Sequence, residues 1–475
     1  MIHVLLFLLL GQQVLAGQPG QGDEFDVASF DVAVSQMRED AGTPGMAVAV
    51  LRGGQILHTK GYGIAGPDGQ PVTAETAFQI GSITKSFVAL VILQLASEGK
   101  LDLDDPVTRH VPTFRTASKS QSDRITIDHL VTHRSGLTTL DGNSAKAVDP
   151  DLSGPAAAVA SLASAQLFAE PGTTFQYSNA NYALLSHLIE VLDNRPFEQA
   201  LQERIFDPLQ MRNSFVQVSP SDTIVVATGY RLWFGAPRPW QPESDAAPDR
   251  RMIGAGGVSA SVEDLARYVE AIRTRDPRVV PEGVDRLFSI KPFYESWGYG
   301  YGWYTNSGRD EPVFMHSGFT PGFLALATMV PATGRVVIVL TNMSGLAHGD
   351  LPQAVTNAAL GWDPVPAAAS IGARTAIWSA VMAPLGLLLL LYRTGQRLLL
   401  RRQPMRPWVR GLNFAAVVGL VAVVYGVYAG FQALLGVSFQ TGYAFYPDLT
   451  VTAVATMAFA LLLAAGRLAL VVRGG

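Results

Sequence analysis

Three long uncharged runs near the C-terminus constrain this chain more than any other feature of its sequence. Residues 375–392 and 412–435 contain no charged side chain, and residues 449–472 contain only Arg467, close to the end of the run. Each run is long enough to cross the hydrocarbon core of a membrane as a helix, which satisfies its own backbone hydrogen-bonding groups. We therefore predict three C-terminal transmembrane helices with these bounds. Three buried helices of a soluble domain are the alternative, and the hydropathy of the runs argues against it.

The segment between the first two runs predicts the orientation in the membrane. Residues 393–411 carry six arginines and no acidic side chain. Loops rich in Arg and Lys remain on the cytoplasmic side. We therefore predict a cytoplasmic loop at 393–411 and an extracytoplasmic loop at 436–448. We therefore expect a multi-pass protein of the cell membrane. Its larger part, before the linker at 361–374, would lie outside the cytoplasm, in the periplasm.

The N-terminus has the pattern of a secretory signal. Residues 4–10 form an apolar run, and Val14, Leu15 and Ala16 offer small residues at the usual cleavage positions. This pattern predicts a signal peptide at 1–16, cleaved or kept as a signal anchor, followed by a linker at 17–29. A disordered or buried start of the chain is the alternative. A signal peptide requires the same topology as the arginine-rich loop.

Composition excludes several classes of function. The 475 residues include no cysteine, which rules out disulfides, thiolate catalysis and metal sites with Cys ligands. The net charge is −4, and the only basic run is the loop near the C-terminus, so we expect no nucleic-acid partner. The partners that we expect are the membrane and a small molecule or peptide as substrate. We expect no cofactor. The oligomeric state is left open.

Residues 30–360 have the mixed pattern of strands and helices that is typical of one globular domain. Apolar runs predict strands at 46–51, 298–304, 322–330 and 336–341, with a turn at 331–334 between the last two. Helical spacing predicts helices at 82–95 and 181–192. Strands at both ends with helices between them indicate an α+β domain whose sheet is completed by both termini.

The first candidate for chemistry is the pair Ser82 and Lys85 in a Ser-x-x-Lys pattern. Residues three apart share a helix face, so the two side chains can touch. A lysine kept neutral by burial can take the proton of a serine nucleophile. Ser97 and Lys100 repeat the pattern, but Gly99 marks a helix end there and favours a surface position.

Two further motifs follow along the chain. Tyr177 and Asn179 form Tyr-x-Asn, in which a phenol can shuttle protons and an amide can hold a lysine or a substrate. A loop tyrosine followed by a helix-capping asparagine is the alternative, and Tyr304-Thr305-Asn306 is a decoy at a strand end. His316 and Gly318 form His-x-Gly, where a glycine lets a substrate backbone approach and the next N–H can bind an oxyanion.

The order of these motifs resembles that of the penicillin-recognising serine hydrolases, the family of class C β-lactamases and D,D-peptidases. That family carries Ser-x-x-Lys, Tyr-x-Asn and Lys/His-x-Gly in this order. Residues 126–137, 205–211 and 254–259 also look like segments of the family, and the resemblance extends from about residue 30 to 360. It implies a β-lactamase/transpeptidase-like fold, an antiparallel sheet flanked by helices with an inserted helical lobe.

The resemblance also implies roles for the matching residues. Ser82 would attack the substrate carbonyl, Lys85 and Tyr177 would manage its proton, and Asn179 would orient Lys85 and the substrate amide. The backbone N–H groups of Ser82 and Phe319 would form the oxyanion hole. His316, with Gly318, stands where many β-lactamases have a lysine, and a histidine is mostly neutral near pH 7. We therefore expect a peptidase of D-amino-acid-containing or acylated peptides, with an esterase or a weak β-lactamase as alternatives.

Other classes of function are also considered. His129 and His133 have the spacing of zinc ligands on a helix, but Leu130 stands where the zinc-protease motif needs Glu. The absence of Gly-x-Ser-x-Gly argues against an α/β-hydrolase. A non-catalytic penicillin-binding sensor is the remaining alternative. The layout with three C-terminal helices resembles membrane-bound peptidases of the colibactin-maturing type, so the tail is either a plain anchor or has a role in oligomerisation or in handling the substrate.

Overall fold

A computed structural model of the chain describes residues 25–143, 152–217, 221–234, 236–240, 250–282, 285–289, 291–308, 311–345, 350–364, 384, 386–394, 396, 406–435, 442–443 and 447–473. The signal peptide predicted at 1–16 lies outside these residues. The described residues fall into two compact units, one formed mainly by residues before 366 and the other by the C-terminal helices.

The first unit is built on a sheet of eight strands, and two short sheets complete it. Its strands are β1 (Gly45–Arg52), β2 (Gln55–Gly63), β3 (Ala77–Gln79), β4 (Phe215–Val216), β5 (Tyr230–Trp233), β6 (Ala236–Pro239), β7 (Val258–Ser261), β8 (Lys291–Tyr294), β9 (Trp297–Gly300), β10 (Trp303–Asn306), β11 (Val313–Thr320), β12 (Phe323–Val330), β13 (Arg335–Thr341) and β14 (Met343–Ser344). The large sheet has the order β2-β1-β13-β12-β11-β10-β9-β8, and every neighbouring pair in it is antiparallel. Strands from both ends of the domain therefore lie side by side in the sheet, where β1 pairs with β13, as the sequence predicts.

Helices cover the sheet and make up most of the regular elements between β3 and β7. They are α1 (Val27–Asp40), α2 (Thr84–Ser97), α3 (Val107–His110), α4 (Lys119–Ser122), α5 (Ile127–Val131), α6 (Thr139–Asn143), α7 (Gly154–Ser161), α8 (Asn179–Asp193), α9 (Phe197–Leu201), α10 (Asp207–Leu209), α11 (Ile253–Gly256), α12 (Val262–Thr274) and α13 (Leu351–Leu360). A single turn of π-helix, Gln202–Phe206, joins α9 to α10. The fold is the expected α+β arrangement with an antiparallel sheet.

The central strands are buried on both faces, which explains their almost unbroken apolar sequences. In β1, Met46, Val48 and Val50 belong to a smaller core with residues of α1 and α13. The alternate residues Ala47 and Ala49 belong to the main core, which also includes most of α2. Because successive side chains of a strand point to opposite faces, one strand serves both cores.

Two boundaries differ from the sequence prediction for clear local reasons. The strand predicted at 298–304 is two strands, β9 and β10, because Tyr301 and Gly302 form a turn with φ of 50° and 83°. Helix α1 begins at Val27, inside the predicted linker at 17–29. Asp26 starts it by accepting hydrogen bonds from the N–H groups of Ala28 and Ser29.

The second unit contains two helices that are long and apolar enough to cross a membrane, α14 (Pro407–Leu435) and α15 (Pro447–Arg473). Both begin a few residues before the predicted spans, at a proline, which is a favoured first residue of a helix. Arg467 of α15 donates a hydrogen bond to Asn413 of α14 over 2.8 Å, so a polar contact joins the helices. The first predicted span, 375–392, lies mainly outside the described residues, and its described stretch from residue 386 is helical.

Candidate active site

Ser82 lies in a tight turn that presses against strand β11. It occupies the 3₁₀ turn Gly81–Ile83 directly before α2, and its side chain is partly exposed. Gly81 has a φ of 51°, and a Cβ atom there would come within 2.6 Å of the backbone nitrogen of Phe319. A Cβ atom on Gly318 would come within 1.9 Å of the carbonyl oxygen of Ile80. Only glycine at both positions allows this approach, which brings the backbone of Ser82 close to that of Phe319.

Lys85 is a fully buried amine that contacts the Ser82 hydroxyl. Its Nζ lies 2.9 Å from Ser82 Oγ and donates to the carbonyl oxygen of Ala255 over 2.6 Å. Burial disfavours the charged form, so the pKa of the Lys85 amine lies well below its usual value. One N–H is taken by Ala255, and the lone pair of the neutral amine can then face the serine.

Tyr177 lies beside this pair. The centre of its ring is 5.0 Å from Lys85 Nζ. Burial raises the pKa of the Tyr177 phenol, and a hydrogen bond with the Ser82 side chain opposes that rise. The phenol is therefore protonated at neutral pH and close enough to Ser82 to exchange a proton with it. The structure brings together Ser82, Lys85 and Tyr177, as the sequence predicts.

Asn179 lies at the start of α8, but its contacts differ from those implied by the family resemblance. Its Nδ2 donates to Asn143 Oδ1 over 2.7 Å, while the hydrogen bonds of Lys85 go to Ser82 and Ala255. Among the described residues the buried Oδ1 of Asn179 has no hydrogen-bond partner. Orientation of Lys85 by Asn179 is not observed.

His316 is buried in β11 and neutral. Its Nδ1–H donates to the carbonyl oxygen of Ser317 over 2.7 Å, and its Nε2 lies 3.3 Å from the Tyr299 hydroxyl. Burial is the main cause that lowers the pKa of the His316 imidazole, to about 3. The residue therefore supplies no cation to this part of the site at neutral pH, in agreement with the expectation from its residue type.

Sequence reasoning missed two groups that complete the site. The carbonyl of Ala255 holds Lys85, and it lies in the Gly-rich segment 254–259 that resembles the family. The centres of the His133 and Tyr177 rings are 4.3 Å apart. His133 belongs to another family-like segment, 126–137. Both segments are recognisable in the sequence, but no spacing rule connects them to Ser82.

The structure also locates the residues of the second Ser-x-x-Lys and Tyr-x-Asn patterns and bears on the metal hypothesis. Ser97 is exposed at the end of α2, and its hydroxyl donates to Gln94. Tyr304 lies in β10, with its ring 6.2 Å from that of Tyr177, so it is an aromatic neighbour of the site. No three His, Asp or Glu side chains converge as metal ligands in the part of the chain that the structure describes.

Comparisons with known proteins agree with this geometry. The profile of the family described as Beta-lactamase matches residues 30–360. Protein flp of Staphylococcus aureus strain MW2 is 28% identical over 322 residues, which cover 66% of this chain and 63% of that protein. The chain thus aligns with less than two thirds of the length of this relative.

Two solved structures resemble the chain in fold and sequence. The octameric penicillin-binding protein homologue from Pyrococcus abyssi superposes with a TM-score of 0.60 at 29% identity, over 72% of this chain and 78% of that one. A D-stereospecific amidohydrolase from Streptomyces sp. superposes with a TM-score of 0.56 at 26% identity, over 67% and 95%. On the family match over residues 30–360, this chain belongs to the beta-lactamase family.

Proposed function

We propose that this chain is a serine hydrolase that forms an acyl-enzyme on Ser82. The observation that carries the proposal is the buried amine of Lys85, 2.9 Å from Ser82 Oγ. In the reaction, Ser82 Oγ attacks the substrate carbonyl carbon as its proton passes to Lys85, with Tyr177 beside them. The backbone N–H groups of Ser82 and Phe319 bind the oxyanion. The leaving group departs with a proton from this relay, and water then hydrolyses the ester on Ser82.

The substrate we propose is a peptide that contains a D-amino acid or carries an acyl group. The unpartnered Oδ1 of Asn179 suits an N–H of an amide substrate, and neutral His316 offers no charge for the carboxylate of a β-lactam. A similar structure is that of a D-stereospecific amidohydrolase, which supports amide substrates of that stereochemistry. An esterase of the same mechanism is the second candidate, because an ester needs only the acyl-transfer groups.

We further propose that the hydrolase works outside the cytoplasm, attached to the membrane by its C-terminal helices. The arginine-rich loop at 393–411 and the apolar N-terminal segment favour this topology. The length and apolar character of α14 and α15 support the attachment.

The test is a substrate panel on the purified full-length protein in detergent. The panel contains N-acyl-D-amino-acid peptides, peptides ending in D-alanine, nitrophenyl esters and nitrocefin. We expect a mass increase on Ser82 and turnover of D-peptides, with slow or no turnover of nitrocefin. The Ser82→Ala variant should lose both, and Ser97→Ala, which removes the serine of the second Ser-x-x-Lys, should keep both. Turnover that survives Ser82→Ala would refute the proposal, and turnover of nitrocefin at hundreds per second would reassign the substrate.

A further inference from the structure

His133 has a backbone conformation that needs an explanation. It lies in the loop between α5 and α6, and its side chain is fully buried. Its φ is 56°, in the left-handed region that residues other than glycine rarely adopt. Such conformations persist where the surrounding structure fixes them, and they concentrate at functional sites. The contacts of His133 show what this conformation achieves.

His133 holds the residues on both sides of Tyr177. Its carbonyl oxygen accepts a hydrogen bond from the backbone N–H of Gln176 over 2.8 Å. Its Nδ1 accepts one from the backbone N–H of Ser178 over 3.2 Å. Its ring packs on the Tyr177 ring, with 4.3 Å between centroids. One residue therefore contacts Tyr177 and both of its neighbours.

The protonation state of the ring supports a specific role for its nitrogen. Asn181 Nδ2 also lies 2.9 Å from Nδ1, so this nitrogen faces two N–H donors and carries no proton. The proton is then on Nε2, which is buried and has no partner among the described residues. An unpartnered buried donor is costly, and a phenylalanine would fill the same volume without that cost. The acceptor at Nδ1 is what a phenylalanine would lack.

We infer that His133 is a positioning residue that fixes Tyr177 in place for proton transfer at Ser82. The inference rests on the proposed function, because it assumes that Tyr177 takes part in acylation. Among the described residues no hydrogen bond or ring contact joins His133 to Ser82, so His133 would act through Tyr177. A displacement of about 1 Å at a reacting group can slow a reaction on the order of 100-fold. Loss of the contacts between His133 and the residues around Tyr177 should therefore slow the reaction measurably.

The test uses the rate at which a fluorophosphonate probe labels Ser82 in the full-length protein. This readout needs no knowledge of the natural substrate. His133→Phe keeps the ring and removes the acceptor, and we expect labelling to slow by about 10- to 100-fold. His133→Asn keeps an acceptor and tolerates the left-handed backbone, so its rate should be intermediate. His129→Phe is the matched control: it removes an imidazole whose Nδ1 accepts from the Thr126 N–H at the start of α5, and should leave the rate unchanged.

A double-variant comparison separates positioning from general destabilisation. In a Tyr177→Phe background, His133→Phe should cause no further loss, because the group that it positions is already absent. Equal slowing in both backgrounds, or wild-type labelling by His133→Phe, would overturn the inference. If His133→Phe fails to fold, the same comparison with His133→Asn decides. Wild-type protein that is not labelled on Ser82 would instead refute the proposed function.

Discussion

Lys85 shows how burial alone can prepare a residue for catalysis. Its side chain is fully buried, and no carboxylate is among the causes that set its pKa. Desolvation therefore acts unopposed and favours the neutral amine, the form that can accept a proton from Ser82. The carbonyl of Ala255 takes one N–H, which allows the lone pair to point towards Ser82.

The pH dependence of acylation follows from this environment. The pKa of Lys85 in the folded protein lies well below the usual 10.5, and the protonated amine cannot act as a base. The labelling rate of Ser82 should therefore be full above the lowered pKa of Lys85 and fall as the pH drops through it, at a pH well below 10.5. Rates measured between pH 5 and pH 11 check this. A rate that rises only near pH 10 would mean that the amine keeps its ordinary pKa.

Residues of the site differ in how far the sequence predicted them. Ser82, Lys85 and Tyr177 were predicted because each lies in a short motif, and the structure brings them together. His133 and Ala255 were missed because their contribution depends on the folded path of the chain. His133 meets Tyr177 although they lie 44 positions apart in the sequence, and Ala255 contributes only a backbone oxygen, which any residue type supplies.

At the level of elements, the close approach of β11 to the turn before α2 shapes the site. Two glycines make it possible, Gly81 in the turn and Gly318 in the strand. The backbone atoms that an added Cβ would meet belong to Phe319 and Ile80, and backbone cannot move aside as a flexible side chain can. The geometry of the proposed oxyanion hole therefore depends on the absence of side chains at Gly81 and Gly318.

Gly318→Ala should damage this approach. The new Cβ would lie 1.9 Å from the Ile80 carbonyl oxygen, so β11 must shift and carry the Phe319 N–H with it. Loss of one oxyanion donor slows acyl transfer by about 100- to 1000-fold, and we expect labelling of Ser82 to fall within that range. Gly66→Ala is the control, because its Cβ would meet only side-chain atoms of Asp68 and Thr228, at 3.1 Å or more. A Gly318→Ala protein with the wild-type labelling rate would show that Phe319 does not bind the oxyanion.

Elements were predictable where one physical signal dominates. The strand predicted at 46–51 lies within β1, because a strand buried on both faces reads as a continuous apolar run. The stretch 298–304 was predicted as one strand because aromatic residues stand at every second position, 299, 301 and 303. The turn at Tyr301 arises from packing: a Cβ on Gly302 would come within 2.4 Å of Ser86 in α2. That contact joins distant parts of the chain and leaves no local pattern.

For the whole molecule, the position of α13 indicates where the hydrolase unit can end. Leu351 and Val355 of α13 are buried in the smaller core with residues of α1 and β13. The carbonyl oxygen of Leu360 accepts a hydrogen bond from Arg335. The C-terminal helices belong to a separate compact unit. A domain with its own core can fold alone, so the boundary should lie directly after α13.

Two truncations test this boundary. A chain ending at residue 364 keeps α13 and should purify without detergent, with Ser82 labelled at the full-length rate. A chain ending at residue 345 loses α13 and exposes the apolar face of β1 and β13 that it covers, so it should aggregate or unfold. Gel filtration, circular dichroism and the labelling rate distinguish the two. If the chain ending at residue 364 also lost labelling, the C-terminal helices would be part of the catalytic machinery. If it kept labelling in vitro while cells expressing it lost activity, the tail would act on delivery of the substrate at the membrane.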